Sequence, residues 1–354
     1  MAQGERFKLF ISSPFEPEYV ERIRQVAPER VEVVYEPDLL PATRYVADHD
    51  GVPEFTRTPE QEARYRKHLR EADFLLDFPK RLPSDGTTMR DLIPSARWVQ
   101  TTSAGVGQQV ARLGLQNSDI LVTTSSGIHA GPLAEFVFLT LLAHVKELER
   151  LERDKTGRRW ERFCSDELAG KTLAIVGPGK IGRQVARVGR AFDMRVVAMG
   201  RGGGQERATE LGVDQVFPRE HLHQMLGQAD AVVISVPHTP ETEGMIDAAA
   251  FAAMKPGVVF VNIGRGVAVD ESALIEGLRS GRIAFAGLDV FAQEPLPADS
   301  PLWELPNVLF NPHSASTAFS ENARITEILC HNLRCMLEGR EGEMRNLLDK
   351  QRMY

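Results

Sequence analysis

The sequence predicts an α/β protein built from two doubly wound parallel sheets with a cleft between them. Short apolar runs typical of buried strands alternate with helical patterns in two series, one from residue 7 to about 125 and one from 172 to 310. The chain has 354 residues, which is enough for two domains that each bury a core.

In the first series, the predicted strands are KLFIS, VEVVYE, ADFLLDFP, RWVQTTS and ILVTTSS, and a helix is predicted from Glu18 to Ala27. A polar excursion from Asp38 to Arg70 is rich in Pro, Gly and Asp. This composition predicts a loop insertion that leads into a helix starting near Glu60. The residues of the insertion indicate no function.

A long helix is predicted from about Pro132 to Asp154, because apolar residues recur at helical spacing after a Gly-Pro start. We expect it to link the two domains, and we expect Trp160, in the arm that follows, to fill an apolar gap. The second series then has strands at TLAIV (172–176), RVVAM (195–199), AVVISV (231–236), VVFVN (258–262), IAFAGLDV (283–290) and VLF (308–310).

Residues 320–338 read as a helix with no strand to follow it. The chain is therefore expected to return to the first domain and complete it. This organisation predicts one discontinuous domain from residues 1–125 and 318–354, and a second domain, inserted into it, from residues 126–317.

Composition and charge exclude several classes of function. The net charge of -7 gives no reason to expect a nucleic-acid partner, and no segment reaches the ~18 apolar residues of a membrane helix. The three cysteines are odd in number and lack metal-ligand spacing, which favours a reducing compartment and no metal site. The sequence predicts a cytoplasmic protein without export or membrane attachment.

A glycine-rich loop, GPGKIG, follows the strand TLAIV and opens a helix with apolar residues at helical spacing. This context identifies a Rossmann-type dinucleotide site, so residues 126–317 are predicted to be the dinucleotide-binding domain and residues 1–125 with 318–354 the substrate (catalytic) domain. The doubly wound pattern of both domains is Rossmann-like or flavodoxin-like. Gly177 allows the tight turn, Gly179 lets the backbone approach a pyrophosphate, and Gly182 permits close packing of helix on strand. Lys180 either attracts the phosphates or is a solvated lysine.

Dinucleotide sites for NAD usually end the second strand with an acidic residue, which accepts hydrogen bonds from the ribose. Here that position is Gly200, and Arg201 follows it. Replacing a carboxylate by a guanidinium favours a 2′-phosphate, so NADP is predicted over NAD. The alternative is that Arg201 is a surface residue that covers the adenine.

Three chemically useful residues each follow a strand, where the ligand crevice of an open parallel sheet lies. They are Arg265 in VNIGRGVAVDESAL, Glu294 in GLDVFAQEPLP and His313 in NVLFNPHSAS. A guanidinium can bind the carboxylate of a 2-oxo acid and polarise its ketone. An imidazole can protonate the carbonyl oxygen, and a carboxylate can fix the tautomer of that imidazole.

At these motifs the chain resembles the D-isomer-specific 2-hydroxyacid dehydrogenase family. The resemblance is dense from LAGKTLAIVGPGKIG (168–182) through VPHTPETEGMI (236–246) to PLWELPNVLFNPH (301–313). It implies that Arg265, Glu294 and His313 are catalytic, and that the protein is a homodimer associating through its dinucleotide domains. It further implies cofactor contacts at Ile181, Val236, Pro237, Thr242, Ile263, Gly264 and Asp289.

The segment TTSAGVG (101–107) resembles the substrate loop of the family, in which backbone N–H groups, here of Ala104 and Gly105, hold the substrate carboxylate. Family members often have Asp where this chain has Gly107, so a supporting side chain of that loop is absent. Another departure is Ser316, where the family commonly has Gly.

These observations predict an NAD(P)-dependent dehydrogenase that reduces a small 2-oxo acid, such as glyoxylate or hydroxypyruvate, to the D-2-hydroxy acid and catalyses the reverse oxidation. One alternative is a phosphite-type dehydrogenase, because such enzymes share this architecture. A second alternative is a dinucleotide-sensing, corepressor-like protein without catalysis, although the chain has no added basic or repetitive segment.

Overall fold

Both sheets of the computed structural model are parallel, which confirms the predicted fold class. The structure describes residues 5–79, 86–200, 202 and 204–353. The chain divides into two compact units, Met1–Ile128 with Thr317–Tyr354, and His129–Ser316.

The first unit contains a five-stranded sheet with strand order β2-β1-β3-β4-β5. Its strands are β1 (Phe7–Ile11), β2 (Val31–Val34), β3 (Phe74–Leu76), β4 (Trp98–Gln100) and β5 (Leu121–Thr123). Its helices are α1 (Pro17–Arg24), α2 (Pro59–Glu71), α3 (Met89–Leu92), α4 (Gly107–Arg112) and, late in the chain, α12 (Glu321–Glu338).

Side chains of β1 alternate between two apolar clusters, as the pleat of a strand requires. Phe7 and Leu9 pack on one face together with Leu329 of α12, whereas Phe10 packs on the opposite face with Leu69 of α2. Both faces of the sheet are therefore covered, which explains why its strands are continuous apolar runs.

The second unit contains a seven-stranded sheet with strand order β12-β11-β10-β9-β6-β7-β8. Its strands are β6 (Thr172–Val176), β7 (Arg195–Met199), β8 (Gln215–Phe217), β9 (Ala231–Ile234), β10 (Val258–Asn262), β11 (Ile283–Leu288) and β12 (Val308–Phe310). Its helices are α5 (Ala130–Val145), α6 (Leu148–Thr156), α7 (Lys180–Ala191), α8 (Gln205–Leu211), α9 (Leu222–Leu226), α10 (Ala248–Ala253) and α11 (Glu271–Arg279).

The order of strands reverses between β6 and β9, because β7 and β8 lie to one side of β6 and the later strands lie to the other. Such a switch point opens a ligand crevice at the carboxyl ends of the strands.

The prediction of one helix from Pro132 to Asp154 was wrong. Helix α5 ends at Val145, and Glu147 adopts a left-handed conformation with φ 52° before α6 begins. Helix α5 is held in the core by its buried apolar face, whereas α6 has no buried residue. The apolar spacing continues across the break, so periodicity alone could not reveal it.

Trp160 does not fill an apolar gap, because 97% of its surface is exposed. Within the described residues, none of the helices combines the length and the apolar composition that a membrane span requires.

Candidate active site

The predicted cofactor and catalytic residues of the second unit follow the carboxyl ends of its strands. Because all strands of this sheet are parallel, these ends lie along one edge. The loops that meet there follow β6, β7, β9, β10, β11 and β12.

The glycine-rich loop after β6 is packed tightly on its inner side and open on its outer side. Gly177 has φ 97°, and a Cβ added there would lie 2.8 Å from Cγ1 of Val236. A Cβ on Gly182 would lie 2.5 Å from the Gly177 carbonyl oxygen, whereas a Cβ on Gly179 would meet nothing within 4 Å. Ser235 Oγ donates to the Gly177 carbonyl oxygen at 2.8 Å. The loop is thus a fixed cradle that fits a pyrophosphate.

Helix α7 begins at Lys180, so its first N–H groups face the same opening and favour an anion. Lys180 is exposed as a residue, but the protein atoms around its ammonium group remove part of the hydration of that group and so lower its pKa. Ile181 is half-buried and packs against one of the two apolar clusters of this unit.

The end of β7 carries no carboxylate. Gly200 donates its backbone N–H to the Phe217 carbonyl oxygen at 3.2 Å, and a Cβ added to it would lie 3.0 Å from Cγ of Pro178. Arg201, the predicted contact to a 2′-phosphate, lies outside the described residues.

The loop after β9 is stabilised by its own hydroxyl group. Thr242 Oγ1 donates to the Pro237 carbonyl oxygen at 2.6 Å and accepts from the Thr239 N–H at 2.9 Å. Val236 is buried beneath this loop, and its carbonyl oxygen would lie 2.8 Å from a Cβ on Gly264. The side chain of Thr242 therefore shapes the loop that the family resemblance places beside the cofactor.

His313 and Glu294 form a hydrogen-bonded pair, in which His313 Nδ1 lies 2.7 Å from Glu294 Oε2. An ionised carboxylate can only accept, so Nδ1 carries the proton and Nε2 remains for proton exchange with a ligand. The second carboxylate oxygen accepts from the Phe291 N–H at 3.0 Å, which fixes the orientation of Glu294. About half of the imidazole side chain is exposed, at 46%.

Asp289 supports the loop that carries His313. Its buried carboxylate accepts from the Ala315 N–H at 2.9 Å. Burial raises the pKa of Asp289, while the hydrogen bond from Ala315 and the charge of His313 act in the opposite direction. On the same loop, the Asn311 carbonyl oxygen accepts from the His313 N–H at 2.9 Å.

Arg265 lies on the loop after β10. Asn262 holds this loop from below, since its side chain donates to the Arg265 carbonyl oxygen at 3.2 Å and accepts from the Gly264 N–H at 3.1 Å. Arg265 Nη1 donates to the Gly264 carbonyl oxygen at 2.7 Å. Within the described residues, no hydrogen bond joins Arg265 to the His313–Glu294 pair.

The Arg265 loop nevertheless lies directly against the loop that carries Glu294. A Cβ added to Gly266 would lie 1.8 Å from the Phe291 carbonyl oxygen. The two backbones therefore pack together without any intervening side chain, and they bring Arg265 and Glu294 onto adjacent loops.

Residues that the sequence did not single out hold these loops in place. Asn262, Ser235 and Asn311 each hydrogen-bond the backbone of a loop that carries a predicted site residue. Each one is a polar residue at or just after the end of an apolar strand, and this pattern could have identified them.

The predicted substrate loop lies in the first unit, after β4. Thr102 Oγ1 donates to the buried Asp77 carboxylate at 2.9 Å, which anchors the loop. Ala104 is half-buried and Gly105 is exposed. A Cβ on Gly107 would lie 2.0 Å from the Met353 carbonyl oxygen, so the late segment of the chain occupies the place of the absent Asp side chain.

Two parallel-sheet units, one with a glycine-rich loop at its switch point and a histidine–carboxylate pair on the same edge, define a two-domain dinucleotide-binding protein. The family model for the D-isomer specific 2-hydroxyacid dehydrogenase NAD binding domain matches residues 138–315. The chain belongs to this family, as its motifs predict.

Relatives with different names match the chain at similar identity. D-3-phosphoglycerate dehydrogenase of Mycobacterium leprae is 37% identical over 240 residues, which are 65% of this chain and 44% of that protein. The chain thus spans less than half of the length of that relative. Glyoxylate reductase of Korarchaeum cryptofilum is 36% identical over 226 residues, which are 62% of this chain and 67% of that protein.

Solved structures match over nearly the whole chain. A D-isomer specific 2-hydroxyacid dehydrogenase family protein from Aeromonas salmonicida has a TM-score of 0.78 at 28% identity, covering 98% of this chain and 100% of that one. A D-isomer specific 2-hydroxyacid dehydrogenase from Xanthobacter autotrophicus, in complex with NADPH and MES, has a TM-score of 0.73 at 29% identity, covering 100% of both chains.

Proposed function

We propose that this protein reduces small 2-oxo acids of the glyoxylate and hydroxypyruvate type to D-2-hydroxy acids with a nicotinamide cofactor, and catalyses the reverse oxidation. The hydrogen bond of 2.7 Å between His313 and Glu294, on the sheet edge that carries the glycine-rich loop, is the observation that supports it most. The family and its named glyoxylate reductases support the same assignment.

In this reaction the residues of the chain would have the following roles. When bound, the nicotinamide supplies the hydride that reaches carbon 2 of the acid. The guanidinium of Arg265 binds the substrate carboxylate and polarises the ketone. His313 Nε2 donates its proton to the carbonyl oxygen and is left neutral, while Glu294 stabilises the protonated ring before the transfer.

The substrate loop of the first unit would supply further contacts to the substrate. In this proposal, the backbone N–H groups of Ala104 and Gly105 hold the substrate carboxylate, as a run of small residues can form an anion nest.

We propose NADPH as the preferred cofactor. Gly200 places no negative charge at the end of β7, so nothing at that position repels a 2′-phosphate. The NADPH complex of the Xanthobacter relative supports this choice. Gly177, Gly179, Lys180 and Gly182 would hold the pyrophosphate.

We also propose a homodimer that associates through the second unit. Large apolar side chains of this unit are exposed, with Leu139 at 50%, Leu151 at 44% and Trp160 at 97%. Exposed apolar area of this kind is typical of protein–protein contacts. Light scattering should give twice the chain mass of 39.4 kDa.

Initial rates with NADPH and NADH against glyoxylate, hydroxypyruvate, pyruvate and phenylpyruvate test the proposal. His313→Gln should lower kcat by about 10²–10⁴-fold, the usual contribution of a general acid, and leave NADPH binding by fluorescence titration unchanged. His223→Gln, an exposed histidine of α9, is the matched control. Wild-type turnover in His313→Gln would remove His313 from the mechanism. If the protein oxidised phosphite and reduced no 2-oxo acid, phosphite oxidation would replace the proposed reaction.

A further inference from the structure

The insertion from Asp38 to Arg70, to which the sequence assigned no function, forms most of the wall of a cavity in the first unit. The cavity has a volume of about 340 Å³, and we call it the insertion pocket. Its walls include Ser12, His49, Phe55, Arg57, Tyr65 and Pro79.

The buried carboxylate of Asp48 holds the first part of the insertion in a defined conformation. Asp48 accepts five hydrogen bonds, three from the backbone N–H and guanidinium of Arg44 and two from the N–H groups of Asp50 and Gly51. Arg44 holds the pKa of Asp48 well below its usual range. A Cβ on Gly51 would lie 2.6 Å from Pro41, so the turn also packs closely. The pocket therefore exists before any ligand binds.

Arg57 brings a positive charge to this pocket. Its guanidinium lies 3.5 Å from the centre of the Tyr65 ring, and its Nε donates to the Leu39 carbonyl oxygen at 2.7 Å. Its Nη1 lies 3.5 Å from Oε2 of Glu62, whereas its Nη2 has no hydrogen-bond acceptor among the described residues. A guanidinium fixed in this way presents N–H donors to a planar oxyanion at low entropic cost.

The acidic groups near Arg57 also interact with other arginines. Glu62 is shared with Arg66, which donates to it at 2.8 Å. The pKa of Arg44 is raised mainly by Asp48, and to a smaller degree by Asp50, the acidic residue of the pocket wall.

The insertion pocket adjoins the proposed substrate loop within the same unit. Ser12, on the pocket wall, donates its hydroxyl hydrogen to the Asp77 carbonyl oxygen at 2.9 Å. The Asp77 carboxylate in turn accepts from Thr102 Oγ1 at 2.9 Å. Because these residues follow β1, β3 and β4, the pocket and the substrate loop share the carboxyl edge of the five-stranded sheet.

We propose that the insertion pocket binds a second anionic group, a carboxylate or a phosphoryl group, on the side chain of the 2-oxo acid, with Arg57 as the residue that recognises it. This proposal rests on the proposed function and names the class of acid that the protein prefers. Glyoxylate has no side chain that could carry such a group, so it would leave the insertion pocket empty.

The test compares kcat/KM of the full chain for glyoxylate and pyruvate, which carry no second anion, with 2-oxoglutarate, which carries a carboxylate, and 3-phosphohydroxypyruvate, which carries a phosphoryl group. Phenylpyruvate serves as a 2-oxo acid of comparable bulk whose side chain is uncharged. Arg57→Gln removes the charge, and Arg57→Lys keeps the charge without the planar fork. Arg70→Gln, an exposed arginine of α2 outside the pocket wall, is the matched control.

We expect at least one anionic acid to exceed both pyruvate and phenylpyruvate in kcat/KM, and its identity separates carboxylate from phosphoryl recognition. Arg57→Gln should lower that value about 10- to 100-fold and change the glyoxylate value by less than about twofold, since charge-assisted hydrogen bonds have this strength. Arg57→Lys should recover part of the loss, and Arg70→Gln should match the wild type.

Three results would overturn the proposal. They are a preference for phenylpyruvate, an unchanged kcat/KM for anionic acids in Arg57→Gln, and an equal loss for glyoxylate and the anionic acids, which would indicate a structural role. If glyoxylate is reduced but no selectivity appears, only the pocket proposal fails. If no 2-oxo acid is reduced by the wild type, the proposed function fails and the pocket proposal fails with it.

Discussion

Substitution of Gly266 by alanine tests whether the loops of Arg265 and Glu294 are positioned by direct backbone contact. A Cβ at this position would lie 1.8 Å from the carbonyl oxygen and 2.0 Å from the carbonyl carbon of Phe291. Gly266 is not among the glycines with positive φ, so alanine is compatible with its backbone conformation. The substitution therefore perturbs the close approach alone.

The size of the effect follows from the distance. Real Cβ atoms keep at least 3.0 Å from such neighbours, so the two loops must separate by about 1.2 Å. A misplacement of about 1 Å between catalytic groups costs about 10²-fold in rate, and inserting a methyl group into a well-packed site costs about 1–3 kcal/mol of stability. We expect kcat/KM with glyoxylate to fall about 100-fold and the urea midpoint to decrease.

Steady-state kinetics and urea unfolding measure the two effects separately. Gly342→Ala is the control, because a Cβ at that position meets nothing within 4 Å. Wild-type kcat/KM together with a wild-type urea midpoint for Gly266→Ala would refute the conclusion that these two loops touch through their backbones.

Two further substitutions probe the first unit. The folded-state pKa of Asp48 lies below its unfolded value of 3.8, so its stabilisation is complete above that pH and is lost as pH falls through the folded value. Asp48→Asn should therefore lower the unfolding free energy by about 1.5–3 kcal/mol at pH 7, as measured by urea titration. Below pH 3.8 the free energies of the variant and the wild type should differ by less. An equal difference between the two proteins at both pH values would contradict this. Gly107→Ala must displace Met353, whose carbonyl oxygen would lie 2.0 Å from the new Cβ. It should raise the KM for glyoxylate and leave the dissociation constant of NADPH unchanged, and an unaltered KM would show that this contact does not position the substrate loop.

The sequence was sufficient for the fold class because the apolar runs and helical spacings are local properties. Buried strands such as TLAIV have apolar side chains on both faces, and their alternation with helices indicates a parallel sheet whatever the rest of the chain does. The same patterns failed at Lys146 and Glu147, where the apolar spacing continues although the helix ends. They failed again at Trp160, because an aromatic residue in a sequence carries no information about its neighbours in space.

The candidate site likewise has features that local patterns predict and features that depend on tertiary contacts. The sequence by itself determined that Arg265, Glu294 and His313 follow strands of one parallel sheet, because strand ends can be recognised locally and parallel strands end at a common edge. Only the tertiary structure decided that His313 and Glu294 are hydrogen-bonded, that Gly266 meets Phe291 and that the insertion forms a pocket around Arg57. These contacts join segments distant along the chain, and their geometry is set by packing between elements, which no local pattern of residues encodes.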